Sequence, residues 1–505
     1  MRNYSKNCIP RAFNWDNHPI IRRIIDYPAT DLPYSQMLHA VFYDRGYTLV
    51  YAYKQGAATG RFLCFDGLLW QELPRNVVAR EVETICGTVL DNLLKYIKPS
   101  LGCKDEVEIQ TINMQKAMLK RGRTYISRHS SKNSILDEYR IQHGDNEIES
   151  KLDTNPDILV ARNGVIDLQT GECRPGIPED YMATKLDTDY NGLESSTKDI
   201  DEFMLDIFDN DTDLISYVQK LLGYGITGHT SEHCWLILTG SGGNGKSLFV
   251  GLLEKLLEKW FVTAPYDIFF KSARRAQAGG ATPHLGTMRG ARICVKEEAE
   301  PKDELNIEII KIISGESPVT SRALYAKDYE TFQPTALPIL ICNHKPAINV
   351  DDEAMLRRIM VIPFTNIYTT PEDSSRPYNP LNPRHRLRDP NVRKKLLTKY
   401  SQEQLLVWLV QGAVKWYAGE GLGKVPQCMQ DAFSAYCLEN DKLQEFIEDC
   451  CEVSPNYNIN AGFFREEFMK YIGRKIQQKD LIDMMKKRGF DYIVAREGQT
   501  LAKVY

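Results

Sequence analysis

Residues 240–247 read GSGGNGKS, the spacing GxxxxGK[ST] that lets a backbone curl around phosphate oxygens. Glycines at 240, 242, 243 and 245 permit the positive backbone angles of such a curl, so that successive N–H groups face an anion. All eight residues, Gly240, Ser241, Gly242, Gly243, Asn244, Gly245, Lys246 and Ser247, are expected to touch the ligand. Lys246 would contact the β- and γ-phosphates and the Ser247 hydroxyl would ligate Mg2+. An apolar run ending at Thr239 predicts a strand before the loop, and Ser247 to Trp260 predicts a helix after it. The positive end of that helix adds to the attraction for an anion. ATP and Mg2+ are therefore the expected ligands. A glycine-rich loop with an accidental lysine is the bland alternative, and the strand-loop-helix context weighs against it.

Hydrolysis needs an acidic group at a strand end to hold the metal and polarise water. The run RICVKEE at 292–298 offers Glu297 for the metal's outer shell and Glu298 to orient the attacking water, although two carboxylates after a strand can also be a plain solvated end. PILICN at 338–343 predicts another buried strand, ending in Asn343. Its amide could hydrogen-bond the γ-phosphate or the lytic water, or simply cap the next turn. Arg357 and Arg358 stand just before the apolar run 359–364. An arginine supplied in trans can stabilise transition-state charge; a surface ion pair is the alternative.

These residues need a scaffold. Short apolar runs alternating with helices from Trp235 to Phe364 predict a parallel sheet covered on both faces, an α/β nucleotide-binding domain. Before it, strands such as 47–53 and a helix at 77–96 predict an α+β domain. NGVIDLQTG at 163–171 reads as a hairpin with positive-φ turns at Asn-Gly and Thr-Gly. Five prolines within 366–391 exclude helix and predict an exposed connection. The expected order is a segment at 1–60, the α+β domain at 61–230, the ATPase domain at 231–365, a linker at 366–391, a helical region at 392–455 and a winged-helix-like end at 456–505.

With 505 residues and 43% hydrophobic content, the chain can bury several cores. No stretch reaches the roughly 18 apolar residues of a membrane span, and MRNYSKNCIPRAF lacks the apolar core of a secretory signal. An intracellular, cytoplasmic site with no membrane partner is expected. The twelve cysteines form no CxxC pair and suit a reducing compartment; Cys294 and Cys342 sit in apolar runs as small hydrophobes. A net charge of −4 argues mildly against a nucleic-acid partner, though a ring needs only a few cations per subunit along its channel. Two local basic stretches remain, Lys116 to Lys132 and Phe464 to Lys487, each either a DNA contact or a solvated face.

The order of phosphate loop, Glu-Glu strand, Asn-ended strand and Arg before IMVIPF, within about 120 residues, resembles the superfamily 3 helicases, and among them the poxvirus-type and phage-type primase-helicases. LGYGITG at 222–228, LGTMRGARICV at 285–295, EIIKIISGE at 308–316 and SRALYAKDYETFQP at 321–334 fit the same pattern. The resemblance spans about 60–430, with residues 155–190 similar to the domain preceding the helicase core and DKLQEFIED at 441–449 similar to the helical region after it. It implies an AAA+-like core and a hexameric ring that hydrolyses ATP at subunit interfaces and translocates on single-stranded or forked DNA during replication in a virus, phage or mobile element. Lys246 and Ser247 become the Walker A pair, Glu297 and Glu298 the Walker B pair, Asn343 the sensor, and Arg358, ahead of Arg357, the finger for a neighbour's ATP. A channel hairpin would carry Lys327 on a DNA phosphate, with Arg322 and Tyr325 in support. Only some 60 residues precede the resemblance, which leaves no room for a primase domain, so the expectation is either a stand-alone helicase or one whose primase or polymerase is a separate partner. The competing expectation is an ATP-regulated origin-binding initiator without unwinding activity.

Overall fold

A computed structural model describes residues 18–53, 59–99, 105–271, 283–298, 303–315, 317–321, 330–419, 421–454, 457–473, 475–494 and 500–504. The chain divides into two compact units. One holds the described residues up to Ser196 with Gln402–Val414; the other holds Thr197–Ser401 and the described residues from Lys415 onward. No described helix is long and apolar enough to cross a membrane.

In the first unit, β1 (Thr48–Tyr53), β2 (Gly60–Phe65) and β3 (Trp70–Leu73) form an antiparallel meander with β4 (Gly144–Asp145) at its edge. Helices Glu106–Ser127 and His129–Gln142 share its core through Leu119, Ile126, Ile135 and Tyr139, packed with Leu49 and Phe62. The helix expected at 77–96 runs from Arg75 to Tyr96 with a π-turn at Val82–Cys86. The basic stretch 116–132 is partly spent on this packing. Arg123 pairs with Asp91, Lys132 with Glu83, and the Tyr125 hydroxyl donates to Asp31.

A second sheet joins β5 (Ile158–Ala161), β6 (Gly164–Asp167) and β7 (Cys173–Arg174). Here one expectation fails. Gly171 has φ +75°, but neither Asn163 nor Gly164 has a positive φ. Gly164 is required by crowding instead, since a Cβ there would lie 2.6 Å from Cys173 Sγ and 2.8 Å from Arg174 O. Asn163 serves tertiary structure: its Nδ2 donates to Tyr190 O at 2.9 Å and its Oδ1 accepts from Tyr190 N at 2.9 Å.

The second unit begins earlier than the expected boundary at 231, because helices Lys198–Ile207 and Thr212–Thr227 belong to it. Its central sheet contains β8 (Trp235–Thr239), β9 (Phe261–Thr263), β10 (Ile293–Glu297), β13 (Leu337–Cys342) and β14 (Ile359–Pro363). Between them in sequence, β11 (Val319–Ser321) and β12 (Glu330–Phe332) pair as an antiparallel hairpin stem. The sheet order is β14-β8-β13-β10-β9 and every pairing is parallel. Trp235, Ile237, Cys294, Leu340 and Val361 fill one apolar layer, as strands buried on both faces require.

The supposed linker is built structure. β15 (Ile367–Thr369) and β16 (His385–Leu387) pair in parallel, and the intervening loop returns to the sheet edge. Prolines exclude helix there but not hydrogen-bonded extended chain. After helices Gln427–Asn440 and Lys442–Cys450, β17 (Tyr457–Asn460), helices Ala461–Ile472 and Gln478–Lys487, β18 (Asp491–Val494) and β19 (Thr500–Val504) close the unit. Their three strands are ordered β17-β19-β18. Around Phe446, Phe464, Phe468, Leu481 and Met485 they form a separate small core.

Candidate active site

Register places the chemistry-bearing residues. Glu297 lies beside Ile341, Ile341 beside Leu238, and Thr239 beside both Cys342 and Pro363. The loop from Gly240, the acidic pair and Asn343 therefore leave the sheet at its C-terminal edge, where open parallel sheets hold ligands. β13 lies between β8 and β10, so Asn343 stands between the loop and the carboxylates. Two interstrand steps separate loop from acids, roughly 10 Å.

The loop has the conformation its glycines foreshadow: Gly242, Gly243 and Gly245 have φ of +87°, +68° and +84°. Gly240 is needed for close approach, because a Cβ would lie 2.7 Å from Phe364 O. Helix Lys246–Leu257 starts directly after Gly245. Lys246 is buried, and its ammonium donates to Gly240 O at 2.9 Å and Asn343 Oδ1 at 3.0 Å. Both acceptors are neutral, and no described carboxylate pairs with it. Burial accordingly lowers its pKa, opposed only weakly by Cys342. An anionic phosphate would provide the missing counter-charge. Asn244 Oδ1 is buried without a hydrogen-bond partner among the described residues, while its Nδ2 donates to Asn366 O at 2.6 Å.

Sequence reasoning missed the brace outside this loop. Tyr368 N donates to Gly243 O at 2.8 Å. Arg376 Nη2 donates to Ser241 O at 3.1 Å and its Nη1 to Gly242 O at 3.2 Å, with a longer contact to Ser241 Oγ at 3.4 Å. Three successive carbonyls are thus held from outside, and the N–H groups of residues 241–245 take no backbone acceptor among the described residues. A peptide whose carbonyl is turned outward presents its N–H inward, so the brace sets the loop's polarity toward an anion. It is anchored in turn: Tyr368 OH donates to Asp206 Oδ2 at 2.7 Å and Asn366 Nδ2 to Asp206 O at 2.7 Å. Asp373 Oδ1 accepts from Ser375 and from Arg376 N, shaping the turn that presents Arg376. The sequence signal was faint, an Asx-turn pattern among prolines.

Glu297 and Glu298 are both exposed. Glu298 has φ +58° and its N–H donates to Ile341 O at 2.9 Å. A non-glycine residue in this left-handed conformation carries backbone strain. Ser247 is exposed at the start of the helix. No described cluster of three or more His, Cys, Asp or Glu could hold a metal alone. Mg2+ commonly takes one or two protein oxygens and completes its shell with phosphates and water, so Ser247 and Glu297 suit it in the presence of a triphosphate.

Arg357 and Arg358 lie elsewhere. Trp235 N donates to Arg358 O, at the start of β8. The arginines therefore stand at the sheet edge opposite Lys246, about 15 Å away along a five-residue strand. Arg358 Nη1 donates to Ala354 O, and its Nε has no partner among the described residues. Lys327, Arg322 and Tyr325 lie outside the described residues; the strands flanking them in sequence pair from Val319↔Phe332 to Ser321↔Glu330. Of the basic C-terminal stretch, Arg474 is likewise outside them and Lys487 pairs with Glu353; just beyond the stretch, Arg488 pairs with Asp351 and Asp441. Cys294 and Cys342 are buried thiols, both raised in pKa by burial.

A family model described as D5 N terminal like matches residues 44–209. A candidate helicase of Acanthamoeba polyphaga mimivirus is 34% identical over 244 residues, which are 47% of this chain and 25% of that protein. These matches support a relationship to the D5-type primase-helicases. A candidate helicase of Invertebrate iridescent virus 6 is 25% identical over 360 residues, covering 67% of this chain and 36% of its own length. A candidate primase of African swine fever virus is 23% identical over 388 residues, covering 74% and 39%. The chain thus spans about a quarter to two-fifths of the length of these relatives. The C-terminal region of NrS-1 superposes over 93% of this chain at 11% identity with a TM-score of 0.44, too loose a likeness to carry an argument.

Proposed function

We propose that this chain is the ATPase core of a replicative DNA helicase. The observation that carries the reading is the buried Lys246 ammonium, held by Gly240 O and Asn343 Oδ1 without a carboxylate, at the sheet edge from which Glu297 and Glu298 also emerge. In this reading the amides of residues 241–246 bind the β- and γ-phosphates of ATP, Lys246 neutralises their charge, and Ser247 and Glu297 hold Mg2+, which would neutralise developing charge on the phosphates. Glu298 orients the attacking water, and Asn343, already bonded to Lys246, exchanges that bond for one to the γ-phosphate. Arg358 cannot reach the loop of its own chain across the sheet, which supports a role at a neighbour's ATP and a ring of subunits. The hairpin stem β11–β12 lies between the acidic strand and the Asn343 strand in sequence, so nucleotide-driven movement at their ends would be passed to a DNA-gripping tip at Lys327, Arg322 and Tyr325.

Strand displacement on forked DNA by the purified chain tests this. ATP-dependent unwinding that disappears in Lys246→Ala is the expected result. Tight binding to one duplex sequence with no unwinding would replace the reading with an ATP-regulated initiator. A separate primase or polymerase would then be sought as a partner of either form.

A further inference from the structure

Residues 384–399, RHRLRDPNVRKKLLTK, hold seven Lys or Arg against one Asp, a net of +6 in a chain whose total is −4. The remainder of the chain therefore sums to −10, and this segment departs sharply from the overall balance. Two of its cations are spoken for: Arg386 pairs with Asp209 and Lys395 with Asp389. Arg384, Arg388, Arg393, Lys394 and Lys399 are exposed, and their side chains meet no carboxylate among the described residues. Five like charges, two flanking β16, two on the helix Val392–Leu396 and one at the start of the helix Lys399–Ala418, repel one another. A polyanion would relieve that repulsion and release its own counterions. Tyr400, beside Lys399, is 58% exposed and offers a face on which a base can stack. That ring favours a nucleic acid over an acidic protein segment.

We propose that residues 384–400 form a DNA-backbone-binding surface separate from the hairpin tip, selective for single strands through Tyr400. It rests on charge and exposure alone, so it stands independently of ATP hydrolysis. The test measures binding of a fluorescein-labelled single-stranded 30-mer by anisotropy across NaCl concentrations, without nucleotide. It uses the full chain, its Lys327→Ala variant, and a variant with Arg384, Arg388, Arg393, Lys394 and Lys399 all changed to Ala, with circular dichroism confirming the fold. The multiple variant is expected to bind more weakly, and its log-log salt slope to fall by about 3 to 4, at roughly 0.7 per lost phosphate contact. Tyr400→Ala is expected to weaken single-strand binding more than duplex binding. Unchanged affinity and slope in the multiple variant would overturn the proposal. So would unchanged DNA binding accompanied by lost binding of a polyglutamate peptide, which would make an acidic protein the partner.

Discussion

Arg376→Ala tests whether the loop's polarity is set from outside. The change removes two hydrogen bonds to carbonyls, at 3.1 and 3.2 Å, and a weak third at 3.4 Å. Arg376 is exposed, so water replaces much of what is lost, and each bond contributes well under its buried worth of roughly 1 kcal/mol. A total near 1 kcal/mol is expected to fall on ordering the loop before nucleotide arrives. At about 1.4 kcal/mol per tenfold, that is a roughly fivefold rise in KM for ATP. kcat should hardly move, because the guanidinium is bonded to the outer side of the loop. Steady-state ATPase assays with titration of a fluorescent ATP analogue would separate the two parameters. Arg376→Lys should recover little, since one ammonium does not reproduce the fork that spans both carbonyls. Unchanged KM would show that Tyr368 and the glycines suffice. A tenfold fall in kcat at constant KM would show that Arg376 contacts the transition state, and the brace argument would fail.

Lys246→Met should abolish hydrolysis yet raise the melting temperature of the nucleotide-free protein, because a buried ammonium without a carboxylate is replaced by an apolar chain; a lower melting temperature would contradict this account. Glu298→Gly should also be inactive and more stable, by about 1 kcal/mol, since glycine adopts φ +58° without strain; chemical denaturation reads the difference, and a loss of stability would show that the backbone there is relaxed. Asn163→Ala should cost about 2 kcal/mol, as Tyr190 loses both partners of a part-buried pair; a change within 0.5 kcal/mol in denaturant unfolding, judged against ordinary surface substitutions, would refute its structural role. Burial, with His39 stacked at 3.9 Å, pushes the His143 pKa down from 6.5 to about 4. The unfolded chain then binds the extra proton first, so stability is complete above pH 6.5 and declines as pH falls toward 4. His143→Gln should flatten that decline in thermal melts, and an unaltered slope would assign acid sensitivity to other groups.

The local part of the site was legible from residues alone. GSGGNGKS states its own conformation because glycines at fixed offsets permit it, and RICVKE and PILICN state theirs because apolar runs of that length form strands. The family resemblance then supplied an order for them. What separated residues do together was decided only by tertiary structure. Arg376 and Tyr368 lie more than 120 residues beyond the loop they brace, in a proline-rich segment whose composition suggests a mere connection. The opposition of Arg358 to Lys246 follows from parallel register, which no single strand reveals. At Gly164 the residue was noticed but its reason was not: turn chemistry is local, whereas the crowding by Cys173 and Arg174 comes from a neighbouring strand. Sequence specifies which groups are available and the backbone angles they tolerate; the packed sheet edge determines which of them meet.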